Sequence, residues 1–247
     1  MKLVLKDGAV FKKCIEAVSV LIDEAELVVG KNGLELRATD PSQISMVDFS
    51  LPKEAFQKFD SEELRLGLDL DYFNRILSRV QSGETLELEL DEKKAHLMVS
   101  FKGTGDKSFQ VPLIDISASE VPNPKIEFDA EIRASASLLQ NSFKDAALIS
   151  THVTLGASDK KFFVKAVSSK GNLNEETPQN KETLPEMKVK RECKSMFPLD
   201  YLQDMLKAAD ASTIVDICLK TNAPIRVSYS IGAAAITYFL APRIESQ

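Results

Sequence analysis

The chain says one thing twice. Leu70-Asp71-Tyr72 recurs as Leu199-Asp200-Tyr201, a spacing of 129 residues from Asp71 to Asp200. At that spacing Phe73, Ile76 and Leu77 fall on Leu202, Met205 and Leu206, and Leu86, Leu88 and Leu90 fall on Val215, Ile217 and Leu219. A cap, an apolar helix stripe and an alternating strand therefore share one register without a gap. A solenoid repeat is only roughly 20–50 residues long, so this period means a duplicated domain. The chain must fold as two copies of one plan, and its 247 residues suffice for two cores.

Each copy reads as two amphipathic helices among eight or nine strands. In the first half Val10, Phe11, Cys14, Ile15, Val18, Leu21 and Ile22 recur at helical spacing, with Lys12, Lys13, Glu16 and Ser19 on the opposite face. Asn32-Gly33 marks a hairpin, because both residues tolerate positive φ. Leu64–Leu70 alternates as a strand, and Asp71 is expected to cap a helix that buries Phe73, Ile76, Leu77 and Val80. In the second half Leu138, Leu139, Phe143, Ala146 and Ile149 form a helix face, and Asp200 is expected to cap the helix of Tyr201, Leu202, Met205 and Leu206. Further strands are expected over 187–192, 215–219, 225–229 and 235–240. Strands outnumber helices and several pair as hairpins. The fold class is α+β, two tandem similar domains with antiparallel sheets and helices on one sheet face.

Between the copies runs Leu113–Phe128, LIDISASEVPNPKIEF. Pro122 and Pro124 cannot donate to a sheet ladder, so this is an extended connector. The expected division is 1–112, a linker over 113–128, and 129–247.

Functional classes can then be excluded. The chain is 44% hydrophobic and 28% charged, which suits a globular protein. No apolar run nears the roughly 18 residues of a membrane span, and the N-terminus MKLVLKDGAVF is not a signal peptide. Cys14, Cys193 and Cys218 are too few and too scattered for a disulfide framework or a zinc site. A protein without metal or cofactor is expected, cytoplasmic, or nuclear if the source is eukaryotic. Cys14 should be buried and inert. Cys218, between Asp216 and Lys220, reads as lying on the polar side of its strand and able to react.

The two histidines, His96 and His152, stand in no metal-ligand frame, and no phosphate-cradling glycine loop or G-x-S-x-G elbow occurs. Glu87 and Glu89 lie on the solvent side of an alternating strand. An enzyme using strand carboxylates is a rival reading supported only by composition. No catalytic residue is expected.

Charge by location is more informative than the total of −6. The outer helix faces carry Lys12, Lys13, Arg75, Arg79, Lys144 and Lys207 against Glu16, Asp145 and Asp204. With the caps left out, that is six cations against three acids, a local net of plus three.

The last strand ends Tyr238-Phe239-Leu240-Ala241-Pro242-Arg243-Ile244-Glu245. With Phe11-Lys12-Lys13-Cys14-Ile15-Glu16-Ala17, Leu21-Ile22-Asp23-Glu24-Ala25, Thr39-Asp40-Pro41-Ser42-Gln43-Ile44-Ser45-Met46-Val47 and Leu113-Ile114-Asp115, it resembles the sliding clamps of the proliferating cell nuclear antigen family, archaeal members especially. The likeness covers nearly the whole chain. It implies a homotrimeric ring around double-stranded DNA, helices lining the hole and sheets outside. DNA polymerase, clamp loader, ligase and flap nuclease would dock through short motifs. Carried over by position, Lys12, Lys13, Arg75, Arg79, Lys107, Lys144 and Lys207 would face DNA. Clients would meet Ile44, Met46, Val121, Pro122, Pro224, Phe239, Leu240, Ala241, Pro242 and Ile244. Subunits would meet through Ser108, Phe109 and Val111 on one side and Asn172, Leu173, Asn174 and Glu175 on the other. That second segment is polar and poor in β-formers. A rival is therefore a specialised subunit that works only in a mixed ring for damage response.

Overall fold

The computed structural model describes residues 1–91, 95–116, 121 and 124–244. The first copy runs β1 (Lys2–Leu5), α1 (Gly8–Ser19), β2 (Glu24–Gly30), β3 (Gly33–Thr39), β4 (Ser45–Pro52), a 3-10 turn (Lys53–Ala55), β5 (Lys58–Asp60), β6 (Leu64–Asp69), α2 (Leu70–Leu77), β7 (Thr85–Leu90), β8 (His96–Lys102) and β9 (Lys107–Pro112). The second runs β10 (Ala130–Ser135), α3 (Ala136–Ala147), β11 (His152–Ser158), β12 (Lys161–Ser168), β13 (Gly171–Pro178), β14 (Glu186–Val189), β15 (Cys193–Pro198), α4 (Leu199–Met205), β16 (Ile214–Leu219), β17 (Ile225–Ile231) and β18 (Ala234–Leu240). β6, α2, β7 and β8 begin at 64, 70, 85 and 96, while β15, α4, β16 and β17 begin at 193, 199, 214 and 225. The 129-residue register thus holds through four consecutive elements. Two tandem α+β domains of one plan are present.

The chain divides into two compact units. One holds Met1–Gln43, Val47–Val121 and Ser230–Ile236, and the other Ile44–Met46, Pro122–Tyr229 and Thr237–Gln247. In the first unit the strand orders are β5-β1-β7-β8-β9 and β4-β3-β2-β6; in the second, β14-β10-β16-β17-β18 and β13-β12-β11-β15. The pairings are antiparallel, with β1 to β7 in register Leu3↔Leu88 and β10 to β16 in register Ile132↔Ile217. These partners are buried on the same face. A slip of one residue would turn all of them to solvent, so the alternating pattern fixes the register.

Helices pack in pairs on the sheets. In the first unit α1 buries Phe11, Cys14, Ile15 and Val18, and α2 buries Phe73, Ile76 and Leu77. The Phe11 and Phe73 rings meet edge to face, 6.3 Å between centroids. In the second unit Gln140 of α3 donates to the carbonyls of Leu206 and Ala209, both at 3.0 Å, and ties α3 to the end of α4. Each buried large apolar side chain contributes roughly 1.5–3 kcal/mol.

Two caps differ from expectation. Asp69, not Asp71, accepts from the Tyr72 amide at 2.8 Å and caps α2. The helix starts two residues early because Leu70 is fully buried and already belongs to its apolar stripe. At the matching end of α4 stands Pro198, which has no side chain to accept a bond. Asp200 accepts from its neighbour Tyr201, at 3.0 Å. The α3 stripe is also narrower than expected: Leu138 is half-buried, and Ile149 lies beyond the helix end. The strand expected over 187–192 stops at Val189.

Candidate nucleic-acid interface and docking cluster

The helices position the cations. α1 turns Phe11, Cys14, Ile15 and Val18 inward, which leaves Lys12 half-buried and Lys13 exposed. Lys12 reaches Glu16 at 3.5 Å, one turn on. Arg75 is exposed in the last turn of α2, its guanidinium 5.5 Å from the Tyr72 ring centroid. Arg79 is exposed just past that helix. In the second unit Lys144 occupies the last turn of α3, and Lys207 follows α4 and pairs with Asp204 at 3.2 Å. Cations at helix C-termini are favoured by the peptide dipoles.

Asp71 and Asp200 do not cap, so they count as exposed first-turn acids. The outer-face charge then falls from plus three to plus one. Arg75 and Lys144 stand in the last turns of α2 and α3, and Asp71 and Asp200 in the first turns of α2 and α4.

Lys107, at the start of β9, is committed elsewhere. Its ammonium donates to Glu84 at 3.1 Å. That carboxylate is 5% exposed and also accepts from the Gln81 amide at 2.8 Å. The Gln81 amide first, and then Lys107, hold Glu84 below the usual carboxylate range.

Most residues of the docking set lie in the second unit. The Ala241 amide donates to Ile44 O at 2.8 Å, and the Arg243 amide to Met196 O at 2.8 Å. These bonds lay the C-terminal segment along the unit's surface. Ile244 is 68% exposed and Ile44 36%, whereas Phe239 is 9% and Leu240 0% exposed. Met46 is buried at 5%, and Pro224, Ala241 and Pro242 are half-buried. Leu240 therefore supports the surface from beneath. Val121 falls in the first unit, and Pro122 lies outside the described residues. The Arg243 guanidinium rests 3.1–3.2 Å from the His152 ring nitrogens, a contact between positions 91 apart that no local pattern announces.

The two segments implied for subunit contact are terminal strands. β9 ends its five-strand run and β13 its four-strand run. On β9 Ser108 is exposed, Phe109 packs on Phe101 at 5.8 Å between centroids, and Val111 is fully buried. β13 is a full eight-residue strand despite its polar composition, because β12 pairs with it from Lys161↔Pro178 to Ser168↔Gly171. Asn172, Leu173, Asn174 and Glu175 lie along it.

Cys218 departs from expectation. It is 2% exposed, accepts from Arg226 Nη2 at 3.0 Å, and has its thiol pushed up by burial against the opposing pull of that guanidinium. Cys14 is pushed up to about 12 and Cys193 to about 11, chiefly by burial. Among the described residues no group of three or more His, Cys, Asp or Glu side chains could hold a metal ion. Among the described residues no helix is long and apolar enough to cross a membrane.

Comparison with known proteins accords with this geometry. Residues 1–120 match the family model for the N-terminal domain of proliferating cell nuclear antigen, and residues 122–244 match that for its C-terminal domain. A protein of Methanococcus vannielii named DNA polymerase sliding clamp is 35% identical over 242 residues, covering 96% of each chain. The crystal structure of PCNA from Thermococcus kodakaraensis superposes with a TM-score of 0.94 at 26% identity, covering 98% of this chain and 99% of that one. The A. fulgidus PCNA solved with the C-terminal region of FEN-1 gives a TM-score of 0.90 at 29% identity, covering 100% and 99%. With both domain models matched in order and a relative this similar over nearly full length, the chain belongs to the proliferating cell nuclear antigen family.

Proposed function

We propose that this chain is a subunit of a DNA polymerase sliding clamp. Copies close into a ring around duplex DNA, and the ring acts as a processivity factor with no catalytic step of its own. The observation that carries this reading is the segregation of the helices: each buries one apolar face and leaves Lys12, Lys13, Arg75, Arg79, Lys144 and Lys207 on the solvent side. Such cations meet phosphates without reading sequence, and salt weakens them. A local net of plus one suits a ring that must slide. Encirclement supplies retention, and tight binding would hinder movement. Lys107 contributes only when Glu84 releases it.

The relatives' names and the FEN-1 complex support docking of replication and repair clients on the second unit's cluster around Ile44, Pro224, Phe239, Pro242 and Ile244. An apolar patch with an aromatic anchor suits a short peptide motif. Residues 1–112 and 129–247 act as the two modules, and 113–128 as their connector. The place of action is on DNA in the cell interior.

The test is retention on nicked circular DNA. The triple variant Lys12→Ala, Lys13→Ala, Arg75→Ala should load poorly or leave faster, with unchanged unfolding. Equal retention would overturn the assignment. A mixed ring is the second reading, favoured by the polar β13 edge. Mass against concentration decides it: a homotrimer at micromolar protein supports the self-assembled ring, and a persistent monomer supports the mixed one.

A further inference from the structure

The outer sheet face of the second unit carries a site that the clamp reading does not use. Registers β14–β10–β16–β17 set Lys188, Glu131, Cys218 and Arg226 side by side in one transverse row. Arg226 donates through Nη2 to Cys218 and lies 5.3 Å from the Phe128 ring centroid. Its Nε is buried and has no hydrogen-bond partner among the described residues. An unmade bond to a buried charged donor costs free energy, so this guanidinium is held in place with its buried Nε donor unused.

Arg226 lines a cavity of about 640 Å³, and Lys190, Arg191 and Lys220 line it too. None of these four cations pairs with a carboxylate within 4.0 Å among the described residues. Most other cations along this unit's strands do pair: Arg133 with Asp216 at 3.1 Å, Lys161 with Glu176 at 2.6 Å, Lys188 with Glu186 at 2.5 Å. Four unpaired cations around one hollow make an anion site.

The lining also says which anion. Glu127, Asp129 and Glu131 share the cavity, and Ile126 and Phe128 give it an apolar side. A nucleic-acid backbone brings a continuous row of phosphates, which those three acids repel. An isolated carboxylate on a peptide, flanked by amide donors and apolar side chains, matches the mixed lining. Arg226 lies two residues beyond Pro224 in the chain, which brings the cavity close to that member of the proposed client cluster.

We propose that the cavity around Arg226 binds an Asp or Glu side chain of a client segment whose anchors sit on the neighbouring apolar cluster. The inference rests on the client-docking reading above. It adds a charge preference: clients of this clamp carry acidic residues beside the docking motif.

Two measurements test it. In the first, the Arg226 Nε–H signal is followed by NMR during titration with N-acetyl-Ala-Glu-Ala-Glu-amide, which has no docking motif. A saturable shift is expected with this peptide and none with its Gln counterpart; no shift overturns the pocket, whatever docks elsewhere. In the second, a peptide of the A. fulgidus FEN-1 C-terminal region is extended by two glutamates or two glutamines at either end. The glutamate form should bind about fivefold tighter at one end. Arg226→Gln, or Lys220→Gln should Arg226→Gln fail to fold, should abolish that difference and leave the unextended peptide's affinity unchanged. A gain that survives both variants overturns the proposal, as does tighter binding of a single-stranded oligonucleotide. Response to the acidic tetrapeptide with no docking of the FEN-1 peptide overturns the clamp reading of the cluster and the client assignment with it, while upholding the anion site.

Discussion

The Ile114 amide donates to the Gly67 carbonyl at 3.0 Å, and a Cβ built on Gly67 would lie 2.0 Å from the Ile114 carbonyl oxygen. Gly67 is the glycine inside strand β6, and the connector's first residues rest directly on its backbone. Backbone cannot yield as the end of a flexible side chain can. Gly67→Ala should therefore lift the connector away from β6 and break the Ile114 bond, lowering stability by about 1–3 kcal/mol. Urea unfolding measures the cost. Faster hydrogen exchange at Ile114, with the β2 amides still protected, localises it.

Docking should depend on exposed members of the cluster. Leu240→Ala empties a fully buried site and should cost about 2–5 kcal/mol, so weaker peptide binding by that variant would report unfolding. Ile44→Ala and Ile244→Ala remove side chains that reach solvent. Together they should weaken a client peptide about tenfold with the melting temperature unchanged. Calorimetric titration and thermal melts on the same samples separate the two effects.

Acid should act through His152. Burial first, and then the Arg243 guanidinium, hold its proton affinity below the usual imidazole value of 6.5, while Asp200 pulls the other way. The unfolded chain takes the proton more readily than the folded one. Stability from this group is therefore complete above about pH 6.5 and is lost as pH falls from there through the lowered folded value. His152→Gln should flatten stability against pH in that window. An unchanged slope in denaturant midpoints between pH 7 and 5 would show that another group dominates.

All three thiols should be slow. Cys14, Cys193 and Cys218 are buried and raised in pKa, so little thiolate forms at pH 8. Modification by a chromogenic disulfide should run at the rate of local opening and become complete within the mixing time in denaturant. A fast single-thiol phase in the folded protein would show that Cys218 is more accessible than its 2% exposure allows.

What could be read beforehand divides by physical scale. The alternating Leu86, Leu88 and Leu90 and the helical recurrence of Phe11, Cys14, Ile15 and Val18 are local burial patterns, and they placed β7 and α1. Strand β15, CKSMFP, alternates too weakly to read alone, although β6 lies 129 residues before it. Strand β13 takes its conformation from β12, where Glu175 faces Val164, and its own composition argues against a strand. The choice between Asp69 and Asp71 turned on where Leu70 is buried, a tertiary fact. The basic positions on the helices were legible as charges on polar faces. The Phe128–Arg226 stack joins residues 98 apart, from 128 to 226, and no nearby residue hints at it.

The unequal caps leave a mark on the timing of the molecule. α2 begins under the Asp69 carboxylate, while α4 begins beneath Pro198, whose side chain offers no acceptor. The opening turn of α4 therefore depends on its surroundings for integrity and should flicker open sooner than that of α2. Two halves built on one plan would then breathe at different rates, and the later half would be first to lend its backbone amides to solvent.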